Sequence, residues 1–280
     1  MANEQQPLGL IAGNGALPLL IARGARSAGR RLVVVGLRGQ ADPALRELAE
    51  KFAWAGVVRP GRWIRLLRGW GASQAILAGG VRKAEIYTPW RLVRYLPDLR
   101  AIRLWYHRLR HDKRDNTVLT ALADELGREG IQLMSSIQYC AEHLADEGLM
   151  TATPLPRGLE ADIEFGFRIA RSSAELDIGQ SIAVKERDII AVEAIEGTDR
   201  MIRRAGELCR SGGWTLVKVA RPRQDVRFDV PCVGPETLQA LKAARAACLV
   251  LQAGAVIILD KPKTLALADQ LGIAVYGVKA

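Results

Sequence analysis

Short apolar runs alternating with amphipathic stretches predict an α/β protein of two α/β domains. The first is Rossmann-like with a parallel sheet and the second a smaller mixed α/β domain. Three observations carry this reading. The first half repeats strand, helix, strand with a glycine turn after the first strand. Residues 148–158 gather proline and glycine, and the second half opens with a helix followed by a hairpin pattern. The domains are set at 1–148, with a basic helical insertion at 82–114, and at 159–280; 149–158 is the linker.

Taken in order, residues 8–12 form an apolar strand, and 16–29 a helix with Pro18 in its first turn. A second strand follows at 32–37, then a helix at 42–52 opened by an Asp-Pro cap. Strand 54–58, helix 62–71, strand 74–78, helix 116–130 and strand 131–134 continue the alternation, which calls for a parallel sheet with ligands at its carboxyl ends. Between 79 and 114 the chain reads as irregular helix broken near Pro89 and Pro97. The second domain begins with a helix at 161–173. Strands 180–185 and 189–195 flank the turn Glu186-Arg187-Asp188, and in the helix at 201–209 Thr198 or Asp199 accepts from the first free amides. Strand 214–219, helix 235–247, strands 248–251 and 256–259, helix 262–271 and strand 273–278 complete it.

With 280 residues, 49% hydrophobic and 25% charged, the composition is that of a soluble globular protein. Its apolar runs fall far short of the roughly 18 residues a membrane span needs, and the amino terminus lacks a secretory pattern, so a cytoplasmic location is expected. The four cysteines have neither CxxC spacing nor a neighbouring histidine pattern and read as small core residues. His107 and His111 share a helix face, but Arg103, Arg108, Arg110, Lys113 and Arg114 around them repel a cation.

The net charge of +10 is concentrated: residues 82–114 hold ten Lys or Arg against Glu85, Asp98 and Asp112. Trp90, Tyr95, Trp105 and Tyr106 are interleaved with these cations. That mixture suits an anionic bilayer interface, where aromatic rings lie at headgroup depth, and the charge alone would also suit nucleic acid.

Three motifs are candidates for chemistry. Ile11-Ala12-Gly13-Asn14-Gly15-Ala16-Leu17-Pro18 gives a strand, a glycine turn and a helix start, so backbone at Gly13 and Gly15 can approach a phosphate closely. The third glycine of the dinucleotide fingerprint is replaced by Pro18 and no acid follows to hold a ribose diol. NAD is therefore disfavoured, while Arg38 leaves an NADP-dependent reductase as an alternative. Glu193 follows Ile189 and Ala191 on one strand face, and a carboxylate continuing an apolar stripe requires a buried partner. Glu196 and Asp199 lie just beyond, at the start of the next helix.

In Asp225-Val226-Arg227-Phe228-Asp229-Val230 strict alternation buries the apolar residues and presents Asp225, Arg227 and Asp229 together. Extended backbone would separate the two aspartates by roughly 13 Å, too far to share a metal. One can then hold Mg²⁺ or its water while the other orients Arg227 or Lys218.

These pieces resemble the LpxI-type UDP-2,3-diacylglucosamine pyrophosphatases of Gram-negative lipid A (lipopolysaccharide) biosynthesis. The resemblance runs through Leu8-Gly9-Leu10-Ile11-Ala12-Gly13, Leu176-Asp177-Ile178-Gly179-Gln180, residues 191–199, Lys218 with Pro222, residues 224–231 and Gly234. It implies Mg²⁺-supported hydrolysis of the UDP-linked diacyl sugar to 2,3-diacylglucosamine 1-phosphate and UMP, with the active site in the cleft between the two α/β domains and 159–280 as the catalytic one. It implies Asp229 as the essential carboxylate, as metal ligand or as base for water, with Asp225 in support. Glu193, Glu196 and Asp199 would contribute metal or water contacts, Thr198 and Gln180 neutral hydrogen bonds, Lys218 and Arg227 a grip on phosphate oxygens, and Gly13 and Gly15 close backbone approach. The chain departs from the family pattern at Arg114-Asp115-Asn116, where a Gly-Asp-Asp element is usual. An acylated substrate also implies peripheral association with the inner membrane and no nucleic-acid partner, and is compatible with a homodimer. A non-catalytic adaptor for anionic lipid or nucleic acid is the remaining alternative.

Overall fold

The structure, a computed structural model, describes residues 6–81, 96–110, 115–221 and 230–280. By internal contacts the described chain divides between Ala141 and Glu142 into two units.

In the first unit, strands β1 (Leu8–Ala12), β2 (Leu32–Leu37), β3 (Lys51–Ala55), β4 (Gln74–Ala78) and β5 (Gln132–Leu133) form one sheet in the order β3-β2-β1-β4-β5. Every pairing is parallel, as the strand–helix alternation predicts. Ile11 is in register with Val35 and Leu77. These residues face a core completed by Trp63, Ile64 and Leu67 of α3 (Pro60–Gly69) and by Ala123 and Leu126 of α5 (Asp115–Arg128). On the other face α1 (Leu17–Ser27) turns Ile21, Ala22 and Ala25 inward against β1 and β2, and Pro18 stands in its first turn, where a missing N–H is harmless.

The helix expected at 42–52 is only one turn, α2 (Leu45–Leu48). Asp42 Oδ1 accepts from the Ala44 amide at 2.8 Å, a turn-forming contact that competes with helix. Phe52 and Trp54 then belong to β3, stacked edge to face with centroids 4.8 Å apart. Residues 99–110 continue as α4 (Leu99–Leu104) and a π-helical turn, Trp105–Leu109.

The second unit is built on a mixed sheet in the order β6-β13-β11-β9-β7-β8: β6 (Gly148–Leu149), β13 (Ala274–Val278), β11 (Ala246–Gln252), β9 (Trp214–Lys218), β7 (Ser181–Lys185) and β8 (Asp188–Val192). The central three strands are parallel, and the β7–β8 hairpin and β6 pair antiparallel at the two edges. Ile163 and Phe167 of α6 (Glu160–Glu175) cover one face, meeting Ile182, Val217 and Val250. The other face packs Leu216, Leu249 and Leu251 on three helices: α7 (Thr198–Leu208), α8 (Pro235–Ala243) and α9 (Lys261–Leu271). The outcome is a three-layer α/β/α sandwich. A short parallel pair, β10 (Cys232–Val233) with β12 (Ile257–Ile258), stands apart from it. Cys140 and Cys248 are buried, and burial pushes the Cys248 thiol up to about 12.

The hairpin turns through Glu186 (φ 53) and Arg187 (φ 60), both left-handed and neither glycine. Such a two-residue turn matches the twist of the strands but costs non-glycine residues about 1–2 kcal/mol each. Buried Asp162 offsets that cost, because its two oxygens accept from the Glu186 and Arg187 amides at 2.9 and 2.6 Å. One further residue departs from simple alternation: the β7–β8 register shifts between Ala183 and Val184, so Ile190 has no partner on β7. The bulge sends Ile189 to the α6 side while Ile190 and Ala191 pack toward α7. Ile189 therefore does not share a face with Glu193, contrary to strict alternation. The strand also stops at Val192, and Ile195 is fully exposed.

Candidate active site

Alternation along β7 and β9 decides which polar groups meet. Ala183 and Leu216 point to the α7 side, so Ser181 and Lys218, two residues away on their strands, point there as well. They are directly paired in the sheet. Glu193, just past β8, is drawn in because its amide donates to the Ser181 carbonyl at 2.8 Å. Gly179 makes room for it: a Cβ there would lie 1.9 Å from the Glu193 carbonyl oxygen. Gly197 (φ 82) turns the chain into α7, whose first residue, Thr198, comes down over the same strand ends.

A connected array results. Lys218 Nζ donates to Thr198 Oγ1 at 2.9 Å and to Ser181 Oγ at 3.4 Å, and Thr198 Oγ1 donates to Glu193 Oε1 at 2.8 Å. Lys218 is 4% and Glu193 8% exposed, so an ammonium and a carboxylate are held out of water through a shared hydroxyl. Burial at that depth is costly without such partners. Glu193 Oε2 and Gln180 Oε1 are buried acceptors without a donor among the described residues. The site thus holds fixed positive charge and, in Glu193 Oε2, an unfilled acceptor at the carboxyl end of β9, where parallel α/β sheets place ligands.

The helix-start role expected of Thr198 or Asp199 is not seen. Gly197 is the residue before the helix, no side chain caps it, and the Thr198 hydroxyl serves Glu193. Glu196 forms an ion pair with Arg204, which also donates to the Val192 carbonyl at 2.8 Å. Asp199 is exposed and lines a surface groove of about 650 Å³ between α7 and α8, with Arg203 and Glu236. That groove includes neither Glu193 nor Lys218. Asp225, Arg227 and Asp229 lie outside the described residues. Ser181 and Arg204 went unnoticed in the sequence; only the β7–β9 pairing reveals that Ser181 faces Lys218.

In the first unit, Gly13 and Gly15 stand where the strand order reverses, between β1 and β4. The Gly13 amide donates to Ala78 O at 2.8 Å, and Asn14 and Gly80 exchange backbone hydrogen bonds of 2.8 and 3.1 Å. A Cβ on Gly13 would lie 2.4 Å from Gly80 O, so this glycine lets two loops touch. Gly15 (φ 92) is open to its surroundings and needs its glycine for backbone conformation.

Among the described residues no three His, Cys, Asp or Glu side chains converge as a metal cage. A Mg²⁺ ion on a diphosphate draws most of its ligands from waters and phosphate oxygens, so one or two carboxylates suffice. Glu193 Oε2, buried and without a donor, fits as one of them.

Fold and site together define a two-domain α/β protein with a buried ammonium–hydroxyl–carboxylate array at its strand ends. Residues 7–143 match the family model of the LpxI N-terminal domain and residues 146–276 that of the LpxI C-terminal domain, and the chain belongs to the LpxI family. It is 33% identical over 284 residues, 97% of each chain, to the UDP-2,3-diacylglucosamine pyrophosphatase LpxI of Caulobacter vibrioides. Among solved structures, the biotin carboxylase subunit of pyruvate carboxylase aligns with 74% of this chain and 33% of its own at 12% identity and TM-score 0.28. The biotin carboxylase domain of a thermophilic 2-oxoglutarate carboxylase aligns with 60% and 42% at 14% identity and TM-score 0.23. The chain spans less than half of either structure.

Proposed function

We propose that this protein hydrolyses the pyrophosphate bond of UDP-2,3-diacylglucosamine, giving 2,3-diacylglucosamine 1-phosphate and UMP for lipid A biosynthesis. The observation that carries this reading is the 33% identity, over 97% of both chains, to a protein of that name. The site chemistry supports it. Water attacks one phosphorus, the P–O–P bridge breaks, and negative charge grows on the phosphate oxygens. Lys218, held by Thr198 and Ser181, supplies fixed positive charge to such oxygens without needing to reorganise.

When bound, Mg²⁺ would neutralise further charge on the diphosphate. Asp229 is the essential carboxylate; of the other candidates for the ion, Glu193 Oε2 has no donor among the described residues, Glu196 is engaged by Arg204 and Asp199 is exposed. Asp225 supports Asp229, Arg227 adds a second cation for phosphate, and the unfilled Gln180 Oε1 offers an acceptor to a sugar or ribose hydroxyl. Gly15 offers open backbone to the nucleotide. The working location is the cytoplasm of a Gram-negative cell, at the inner membrane. The test is incubation of UDP-2,3-diacylglucosamine with Mg²⁺ and identification of the products. UMP and the sugar 1-phosphate support the reading, as does loss of turnover in Asp229→Ala; UDP as product, or no reaction, overturns it.

A further inference from the structure

Between Glu193 and Thr198, the carboxylate and the hydroxyl of the buried array, the chain crosses from β8 to α7 with no apolar anchor of its own. Ala194 and Ile195 are exposed, Ile195 completely, and Gly197 turns the backbone at φ 82. The crossing has a backbone hydrogen bond near each end: the Glu193 amide donates to the Ser181 carbonyl at 2.8 Å and the Gly197 amide to the Ala194 carbonyl at 3.2 Å. Segments with few buried apolar contacts open locally at low cost, yet the array needs Glu193 Oε1 and Thr198 Oγ1 held 2.8 Å apart.

Arg204 spans this crossing from outside. It stands on α7 among Met201, Ile202 and Ala205, which are fully buried, so its backbone is fixed by the core. From there Nη2 donates to the Val192 carbonyl at 2.8 Å and to Glu196 Oε1. Val192 and Glu196 lie on either side of Glu193, and a single nitrogen therefore ties both flanks of the carboxylate to the helix that carries Thr198.

From this geometry we infer that Arg204 is a positioning residue for the reaction: it clamps residues 192–198 so that Glu193 and Thr198 meet Lys218 in one arrangement, and Glu196 is the anchor of that clamp. The Arg204 and Glu196 side chains are 45% and 26% exposed. An ion pair in that setting adds little to global stability, so its effect lies in local order, for which a planar guanidinium suits better than a flexible ammonium. The consequence for turnover rests on the pyrophosphatase reading, whereas the clamp itself does not.

The test is amide hydrogen exchange of the wild type and of Arg204→Met, which keeps an unbranched stem and removes the guanidinium, followed by Mg²⁺-dependent turnover of both. Exchange at the Glu193 and Gly197 amides should quicken about tenfold or more while β9 stays protected. The kcat for UMP release should fall about tenfold with KM changed less than about threefold, because displaced groups lose rate more than binding. Arg204→Lys, which keeps the charge and N–H donors, should fall between the two. Unchanged exchange at both amides overturns the proposal, as does a loosened crossing with wild-type kcat. If Arg204→Met also loses protection in β9, Arg204→Lys carries the comparison. A wild type that leaves UDP-2,3-diacylglucosamine intact sinks the enzymatic reading, and exchange alone then decides the clamp.

Discussion

Valine in place of Thr198 keeps the branched shape and removes the hydroxyl that donates to Glu193 and accepts from Lys218. Glu193 would then lack a donor on both oxygens among the described residues, which costs about 1–3 kcal/mol. Thr198→Val should therefore lower the thermal midpoint and turnover together, whereas Thr198→Ser should restore both; a stable, fully active valine variant would remove Thr198 from the site. At this scale the sequence was legible where a residue type violates its surroundings. A carboxylate at the end of an apolar strand demanded a partner, and the structure supplies one. It was not legible where the partner depends on pairing of distant strands, as for Ser181, or where a competing ion pair captures a side chain, as Arg204 does with Glu196.

The hairpin between β7 and β8 stores backbone strain that Asp162 holds in place. Glycine at Arg187 keeps the amide that Asp162 uses and relieves the left-handed conformation, so Arg187→Gly should stabilise the protein by about 1 kcal/mol, read as a shift in the urea midpoint. No shift would mean the turn is unstrained. Asp269 on α9 makes a second clasp, accepting from the Thr153 amide at 2.7 Å and its hydroxyl at 2.9 Å. The backbone hydrogen bond to Thr153 holds its carboxyl below the ordinary aspartate range. A depressed carboxyl stabilises the fold above its unfolded-state pKa, and that contribution disappears as pH falls through the folded-state value. Asp269→Asn should thus be less stable than wild type at neutral pH, with the gap closing in acid; a gap independent of pH would assign the effect to something other than this charge. Most strands of the second unit were readable from apolar runs bounded by turn residues. The β8 bulge and the one-turn α2 were not, since a register shift and an Asx contact leave no periodic signature.

For the molecule as a whole, alternation and glycine turns make the first sheet parallel and a short turn makes the β7–β8 pair a hairpin, whereas the strand orders β3-β2-β1-β4-β5 and β6-β13-β11-β9-β7-β8 come from the structure. The resemblance to the family was legible in the buried strand β1 and its glycine turn and in loops and strand ends such as 176–180 and 191–199. The carboxylates of residues 224–231 were the strongest signal in the sequence, and the array around Lys218 is what the structure adds to them. The account holds that this buried ammonium, set by Thr198 and Ser181, meets the diphosphate of the substrate. Its most direct test is the Mg²⁺-dependent rate of UMP release from UDP-2,3-diacylglucosamine by Lys218→Ala beside the wild type. The account predicts a loss of about 10²–10³-fold in kcat, the size expected on removing a fixed electrostatic stabiliser, from a protein that remains folded. Wild-type turnover by a folded Lys218→Ala protein would contradict it.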